Sequence, residues 1–367
     1  MRIVIACDSF KGSATAAEVC AALRRGWQRV RPADDIIVRP MADGGEGTLD
    51  AFEAGVPGAV RHPIRVAGPL GEAHEASFLT LRDGTAVVEL ASTSGITLVP
   101  EGGLRPLDAT TTGFGQAVAS ALGAGAVRVL LAVGSSCSTD GGAGALTALG
   151  ARFSRADGRP IARGARGLAD LASVDLAGLP ALPAGGAVVL SDVTNPLTGP
   201  TGAAAVFGPQ KGATANDVVL LDRWLTHYAE LVPGDPGSAT APGAGAAGGT
   251  GFGLLAWGAT IRSGAGFVAN LLDLPGAIGE ADVVITGEGQ FDDQSAAGKA
   301  PSVVLDLAEQ ADVPALLVAG SITADTTRFA ATVSLSELAG ETASALQDPT
   351  RWLERAGETL AMAQPAT

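Results

Sequence analysis

Five times along this 367-residue chain a short apolar run gives way to a polar turn of glycine, acids and hydroxyls. These turns are Asp8–Ser13, Asp43–Thr48, Ser135–Gly142, Asp192–Asn195 and Thr286–Gln294. Arg2–Cys7 carries a continuous apolar run (Ile3, Val4, Ile5), the pattern of a strand covered on both faces, and Ala126–Val133 and Ala281–Ile285 read as further buried strands. Helical signals follow. Thr15-Ala-Ala-Glu18 has the capping-box spacing and predicts a helix running to about Trp27 or Val30, and Ala143–Leu149 predicts another. Repeated strand–turn–helix units imply parallel sheets with helices on their faces.

The character changes after Gly55. His62–Val66, Glu75–Leu81 and Ala86–Leu90 are strand-like, with turn signals at Gly68-Pro69 and Asp83-Gly84, and read as an antiparallel meander. Short buried strands alternating with helices return at Ala281–Ile285, Ala315–Val318 and Ala331–Val333, and the last helix is expected at Pro349–Met362. The fold expected is therefore α/β with two domains. One is a parallel-sheet, Rossmann-like domain built from both chain ends, 1–60 and 280–367. The other, 61–279, is an inserted α/β domain with a mixed sheet, and the active-site cleft is expected between them. The chain length fits two domains.

Composition narrows the function. Hydrophobic residues make up 47% of the chain, but alanine and valine carry that figure. No stretch of about 18 residues reads as a membrane-spanning helix. Met1-Arg2 is followed by only five residues before Asp8, too few for the apolar region of a signal peptide. Cys7, Cys20 and Cys137 are scattered without metal-ligand spacing, so a reducing, cytoplasmic setting is expected. A formal charge of −14 argues against nucleic acid, whose backbone needs a basic surface, yet leaves room for small anions held locally.

The cations are distributed unevenly. Three lysines stand against twenty-one arginines, and all three, Lys11, Lys211 and Lys299, sit directly beside a glycine in short polar turns. A compact ammonium can touch a single phosphate oxygen as a point charge, which a planar guanidinium does less well. Side chains just past the carboxyl ends of parallel strands converge on a crevice, and glycine there lets backbone N–H groups approach a phosphate. One such turn is ordinary; five, together with all three lysines, point to a site for a multiply charged anion with a divalent metal. The P-loop pattern is absent, because Gly298-Lys299 is followed by alanine and the upstream glycine position holds Asp293. Gly243-x-Gly245-x-x-Gly248 matches a dinucleotide fingerprint by letter only, since a proline-broken loop, Pro233–Gly251, surrounds it. His62, His74 and His227 lie outside the clusters, so acid–base work falls to carboxylates or lysine. This is the equipment of phosphoryl transfer, where a protein mostly positions groups and neutralises charge.

Taken together the clusters resemble the bacterial glycerate kinase family, the type I glycerate 2-kinases. The resemblance is carried in collinear order by Asp8-Ser-Phe-Lys11-Gly-Ser, Ala42-Asp43-Gly-Gly-Glu46-Gly-Thr, Thr139-Asp140-Gly-Gly-Ala-Gly and Asn195-Pro-Leu-x-Gly199-Pro. It continues through Ala205-Val-Phe-Gly-Pro-Gln-Lys211-Gly, Gly243-Ala-Gly-Ala-Ala-Gly-Gly and Thr286-Gly-Glu288-Gly. The resemblance implies two α/β domains flanking a cleft, and transfer of the γ-phosphoryl of ATP to D-glycerate with Mg2+, giving 2-phosphoglycerate. Three positions depart from the family pattern. Thr139 stands where asparagine is usual, and Gln290 and Ala297 replace an arginine and a histidine.

Within that reading, Asp192 and then Asp43 are the carboxylates expected to take the proton of the attacking hydroxyl. Lys11 and Lys211 are expected on transferring or leaving phosphate oxygens, with Lys299 closing the same site. Substrate or phosphate contacts are expected from Ser9, Ser13, Gly44, Gly45, Ser136, Asp140, Gly141, Asn195 and Gln210, and metal-side acids from Glu288 and Asp292. The partners are ATP and a glycerate-like acid, with no nucleic acid or membrane, in a monomer or homodimer. Two alternatives stay open: a kinase of another small hydroxy acid or sugar acid, and a non-catalytic nucleotide-binding regulator.

Overall fold

A computed structural model describes residues 1–293, 295 and 299–365. The chain divides into two compact units. The first comprises Met1–Asp43, Asp50–Pro57 and Ser263–Thr367; the second comprises Gly44–Leu49 and Gly58–Arg262. Strands are numbered in chain order.

The first unit is built on a five-stranded sheet of β1 (Arg2–Cys7), β2 (Asp35–Val38), β11 (Val283–Phe291), β12 (Ala315–Ile322) and β13 (Ala331–Ser334). Their order is β13-β12-β11-β1-β2 and every pairing is parallel. Ile3, Val4 and Ile5 are fully buried, which explains why the strand shows no alternation. The capping box forms as the spacing predicts: the Thr15 hydroxyl accepts from the Glu18 amide and the Glu18 carboxylate accepts from the Thr15 amide, starting the helix Ala16–Val30. That helix packs on the last one, Pro349–Met362, burying Leu23, Trp27, Leu353 and Leu360. Each such side chain contributes roughly 1.5–3 kcal/mol on burial.

The second unit contains a six-stranded mixed sheet of β3 (Val60–Ala67), β4 (Ala73–Thr80), β5 (Thr85–Glu89), β6 (Arg128–Ala132), β9 (Ala187–Leu190) and β10 (Thr260–Arg262). Its order is β10-β9-β6-β5-β4-β3. The meander β3–β5 is antiparallel as expected, while β5, β6, β9 and β10 run parallel. A two-stranded ribbon, β7 (Arg152–Ser154) with β8 (Ser173–Asp175), completes the sheets among the described residues. Tyr228 sits in the core between Phe153 and Phe252, its ring edge-on to Phe252 at 5.4 Å.

Two boundaries differ from expectation. The segment from Ser263 to 279, placed with the insert by the sequence, belongs to the first unit. Its helices Gly264–Leu271 and Leu274–Gly279 pack on the helix Ala300–Gln310 that follows β11. Conversely Gly44–Leu49 belongs to the second unit. No helix among the described residues is long and apolar enough to cross a membrane.

Candidate active site

In the first unit the chain leaves β1 for β2 in one direction, whereas β11, β12 and β13 step away in the other. The reversal falls between β1 and β11, the place in an open parallel sheet where ligands bind beyond the carboxyl ends. Cys7 pairs in register with Gly287, and the Asp8 amide donates to the Gly287 carbonyl at 2.8 Å, which sets Asp8 beside Glu288. The chain after β2 stays alongside β1, with the Met41 amide on the Cys7 carbonyl at 2.8 Å, and so delivers Asp43 to the same edge. Burial raises the Asp8 carboxyl well above its ordinary range, reinforced by the charges of Asp43 and Glu288 and opposed by the Ser9 amide and Lys299. Burial likewise lifts Glu288 to about 7, against the Ser295 hydroxyl and the Lys299 ammonium. Glu288 is 7% exposed and its Oε1 has no hydrogen-bond partner.

The other expected residues of this unit fall around that edge. Ser9 donates its amide to Asp8 Oδ1 at 2.6 Å. Lys11 is exposed on a tight turn closed by the Phe10–Ala14 bridge, where the Ser13 hydroxyl donates to the Phe10 carbonyl. Gly289 faces this turn closely: a Cβ there would lie 3.2 Å from the Lys11 backbone nitrogen. Lys299 caps the helix Ala300–Gln310. Asp292 has a local task, because its Oδ1 accepts from the Ser295 amide and hydroxyl and its Oδ2 from Gln290. Gln290 is exposed on β11, and Ala297 lies outside the described residues.

No group of three or more histidine, cysteine, aspartate or glutamate side chains among the described residues is arranged to hold a metal ion. A magnesium ion commonly takes one or two carboxylates and completes its shell with phosphate oxygens and water. The orphaned oxygen of Glu288 fits that description; Asp292, bound into its turn, fits it less well.

In the second unit the expected residues gather at the carboxyl ends of β5, β6 and β9. Gly44 has φ +88°, and a Cβ there would meet the Leu190 carbonyl at 2.5 Å. Its own carbonyl accepts from the Gly134 amide, and a Cβ on Gly134 would lie 2.5 Å from the Gly45 Cα. These glycines let three backbones meet. The Thr48 amide donates to the buried Glu89 at the end of β5, fixing the segment. Asp192 is half-buried two residues beyond β9.

Lys211 lies against the turn that follows β6. It is 2% exposed, and its ammonium donates to the Ser138 carbonyl at 2.5 Å and the Ser136 hydroxyl at 3.4 Å. Burial lowers it to about 8 despite the charges of Cys137 and Asp140. The glycine-rich segment approaches from the other side: a Cβ on Gly248 would lie 2.9 Å from Lys211 Nζ and 2.1 Å from the Ser138 carbonyl oxygen. Ala247, Gly248 and Gly249 are all left-handed, and the Ala247 carbonyl accepts from the Thr250 hydroxyl at 2.7 Å. The segment expected to be a loop to Gly251 thus becomes helical from Ala246, with this kink inside it. Asn195 borders it: its carbonyl accepts from the Gly245 amide, while its side chain donates to the Thr201 carbonyl. Gln210 is exposed on the single turn before Lys211.

Two expected ligand-binding residues have other occupations. Asp140 is fully buried, and its carboxylate accepts from the Thr111 amide and hydroxyl and the amides of Gly142 and Gly144. Burial raises its carboxyl, and those donors oppose the shift. Such a group staples the Thr110–Thr112 turn to the start of the helix Ala143–Leu149. The Gly141 amide donates to the Gly248 carbonyl, so it braces the glycine-rich segment. Thr139 is fully buried, its hydroxyl oxygen without a hydrogen-bond partner. The sequence missed Asp8 and Glu89; their positions at the last residue or first residue past a buried strand were the available signal.

Comparison with known proteins agrees across nearly the whole chain. The sequence pattern of the glycerate kinase family matches residues 3–364. Glycerate kinase from Bacillus subtilis is 44% identical over 330 residues, covering 89% of this chain and 86% of that protein. Glycerate 2-kinase from Escherichia coli is 43% identical over the same length, with the same coverage. The crystal structure assigned as glycerate kinase 2 from Salmonella typhimurium superposes with a TM-score of 0.84 at 39% identity, covering 99% of this chain and 97% of the other.

Proposed function

We propose, starting from a chain that belongs to the glycerate kinase family and phosphorylates glycerate, that the donor is Mg2+-ATP and the product 2-phosphoglycerate. The observation that carries this reading is the buried ammonium of Lys211, enclosed by Ser136, Ser138 and the left-handed turn at Gly248. A lysine is costly to bury, and a desolvated positive charge among glycines is suited to an oxyanion.

In this mechanism Lys211 neutralises charge that develops on the phosphate oxygens, with Lys11 and Lys299 as the cations of the first unit. Asp192 accepts the proton of the attacking hydroxyl, with Asp43 as the second candidate. Ser136, Asn195, Gln210, Gly44 and Gly45 contribute to phosphate or acceptor contacts, as do Ser9 and Ser13. Glu288 is the carboxylate that would hold magnesium, alone or with Asp292 through water; the ion supplies charge neutralisation on the nucleotide phosphates when bound. The reading includes a cytoplasmic setting, in keeping with Cys7, Cys20 and Cys137 all being buried free thiols.

A coupled assay of ADP release with purified chain, D-glycerate and Mg2+-ATP tests this, with the product identified by 31P NMR. Absence of ADP release with glycerate overturns it. A second reading, a related hydroxy acid or sugar acid as the preferred acceptor, is motivated by the exposed, neutral Gln290 where the family pattern has arginine. A panel of such acids at fixed ATP separates the two by kcat/KM.

A further inference from the structure

Glycerate brings its own carboxylate, and no cation assigned so far is matched to it. In the second unit, Lys211 is already engaged by Ser136 and Ser138. The four parallel strands β5, β6, β9 and β10 end in Glu89, Ala132, Leu190 and Arg262, so Arg262 is the one cation among these terminal residues. Its register partner is Leu190, and its carbonyl accepts from the Ser191 amide at 3.1 Å. The chain leaving β9 toward Asp192 therefore starts alongside Arg262, at the roughly 4.8 Å spacing of neighbouring strands.

Arg262 is exposed, and among the described residues no hydrogen bond or ion pair engages its guanidinium. Arginines with a local structural task in this protein look different: Arg29 is held by Glu354 and Glu358, and Arg328 by Asp306 and Glu309. A planar guanidinium matches a carboxylate with two parallel N–H donors, which an ammonium cannot do.

We infer that Arg262 binds the carboxylate of glycerate and thereby presents the hydroxyl on the adjacent carbon to Asp192. The inference rests on the glycerate reading above and supplies a structural reason for the position phosphorylated. The 2-hydroxyl is one carbon from the anchored carboxylate and the 3-hydroxyl is two, so an anchor next to the base selects the former. In the step itself the O–H bond of that hydroxyl breaks and its proton passes to Asp192. The oxygen forms a bond to the γ-phosphorus, and the bond from that phosphorus to the bridging oxygen breaks, its electron pair leaving on ADP.

The test compares Arg262→Ala and Arg262→Lys with the unaltered chain, varying glycerate and ATP separately and using glycerol as a neutral acceptor. Arg262→Ala is expected to raise KM for glycerate about fiftyfold, leave KM for ATP and Tm unchanged, and reduce the preference for glycerate over glycerol. Its 31P NMR spectrum is expected to show a mixture of 2- and 3-phosphoglycerate. Arg262→Lys is expected to recover only part of the loss. A glycerate KM within about threefold of the unaltered enzyme overturns the inference, as does an equal rise in KM for ATP, which marks a nucleotide contact. Should the alanine variant fail to fold, Arg262→Gln carries the same comparison. An unaltered chain inactive on glycerate sinks the underlying reading; an active one indifferent to Arg262 sinks only the anchor.

Discussion

The ammonium of Lys211 lies 2.5 Å from the carbonyl oxygen of Ser138, in a place with 2% of its surface open to solvent. That carbonyl and the Ser136 hydroxyl orient the charge, and an ammonium has a third proton to give. Lys211→Ala is expected to lower kcat/KM by about a hundredfold or more, the loss seen when one oxyanion contact of about 3–4 kcal/mol is removed. Lys211→Arg is expected to restore little, because Gly248 and Ser138 enclose the nitrogen and a guanidinium needs more room. Coupled ADP release measures both; near-normal turnover in the alanine variant removes the phosphate role.

The same burial predicts the alkaline limb of the pH–rate profile. Desolvation brings Lys211 down to about 8 from an ordinary lysine value above 10, and the ammonium is the form that pairs with phosphate. Activity is therefore expected to fall with a single-proton slope above about pH 8, steepening to tenfold per unit. In Lys211→Arg the residual rate is expected to lose that limb, since a guanidinium stays charged. A limb that persists unchanged in the arginine variant assigns it to another group.

Gly248 and Ala247 are neighbours in the same left-handed turn with opposite expectations. A methyl on Gly248, at φ +67°, would fall 2.1 Å from the Ser138 oxygen and 2.6 Å from the Thr139 Cα, both backbone atoms that cannot step aside. Gly248→Ala is expected to cost about 3 kcal/mol and to disturb the Lys211 site with it. Ala247 pays the left-handed penalty already, at φ 53°. Ala247→Gly is expected to stabilise the protein by about 0.5–1 kcal/mol, the steric relief exceeding the extra chain entropy. Urea titrations of the two variants decide; equal shifts in the same direction contradict the geometry.

How much of this was legible beforehand depends on whether the signal was local. β1, β6 and β11 are read from unbroken apolar runs because both faces of a central parallel strand are covered, and the Thr15–Glu18 box fixes its helix within three residues. Asp140 was not legible as a staple. Thr139-Asp-Gly-Gly looks like an exposed turn, but its carboxylate is saturated by Thr111, 29 residues upstream. The helix after Gly245 was hidden for a similar reason: glycine propensity argues for a loop, and only burial of Phe252 and Leu254 overrides it. Ser263–Gly279 shows the same limit, since which unit a helix joins is decided by the helix Ala300–Gln310 it packs on.

Glu288 gives a prediction in which stability and function oppose each other. Its folded-state carboxyl titrates near 7, above an ordinary glutamate, because burial disfavours the charged form. A raised carboxyl means that the folded protein holds the proton more tightly than the unfolded chain. The associated stability is complete below the unfolded value near 4.5 and is lost as pH rises through about 7. Glutamine keeps the shape and never charges. Glu288→Gln and the unaltered chain are thus expected to melt alike near pH 5, while at pH 8 the variant is the more stable by about 3 kcal/mol. Its activity is expected to fall at both pH values, since an amide oxygen is a weaker partner for a cation than a carboxylate. Melting curves that stay parallel across that range would show that the charge of Glu288 is already compensated in the free protein, which removes the case for it as a metal-side acid.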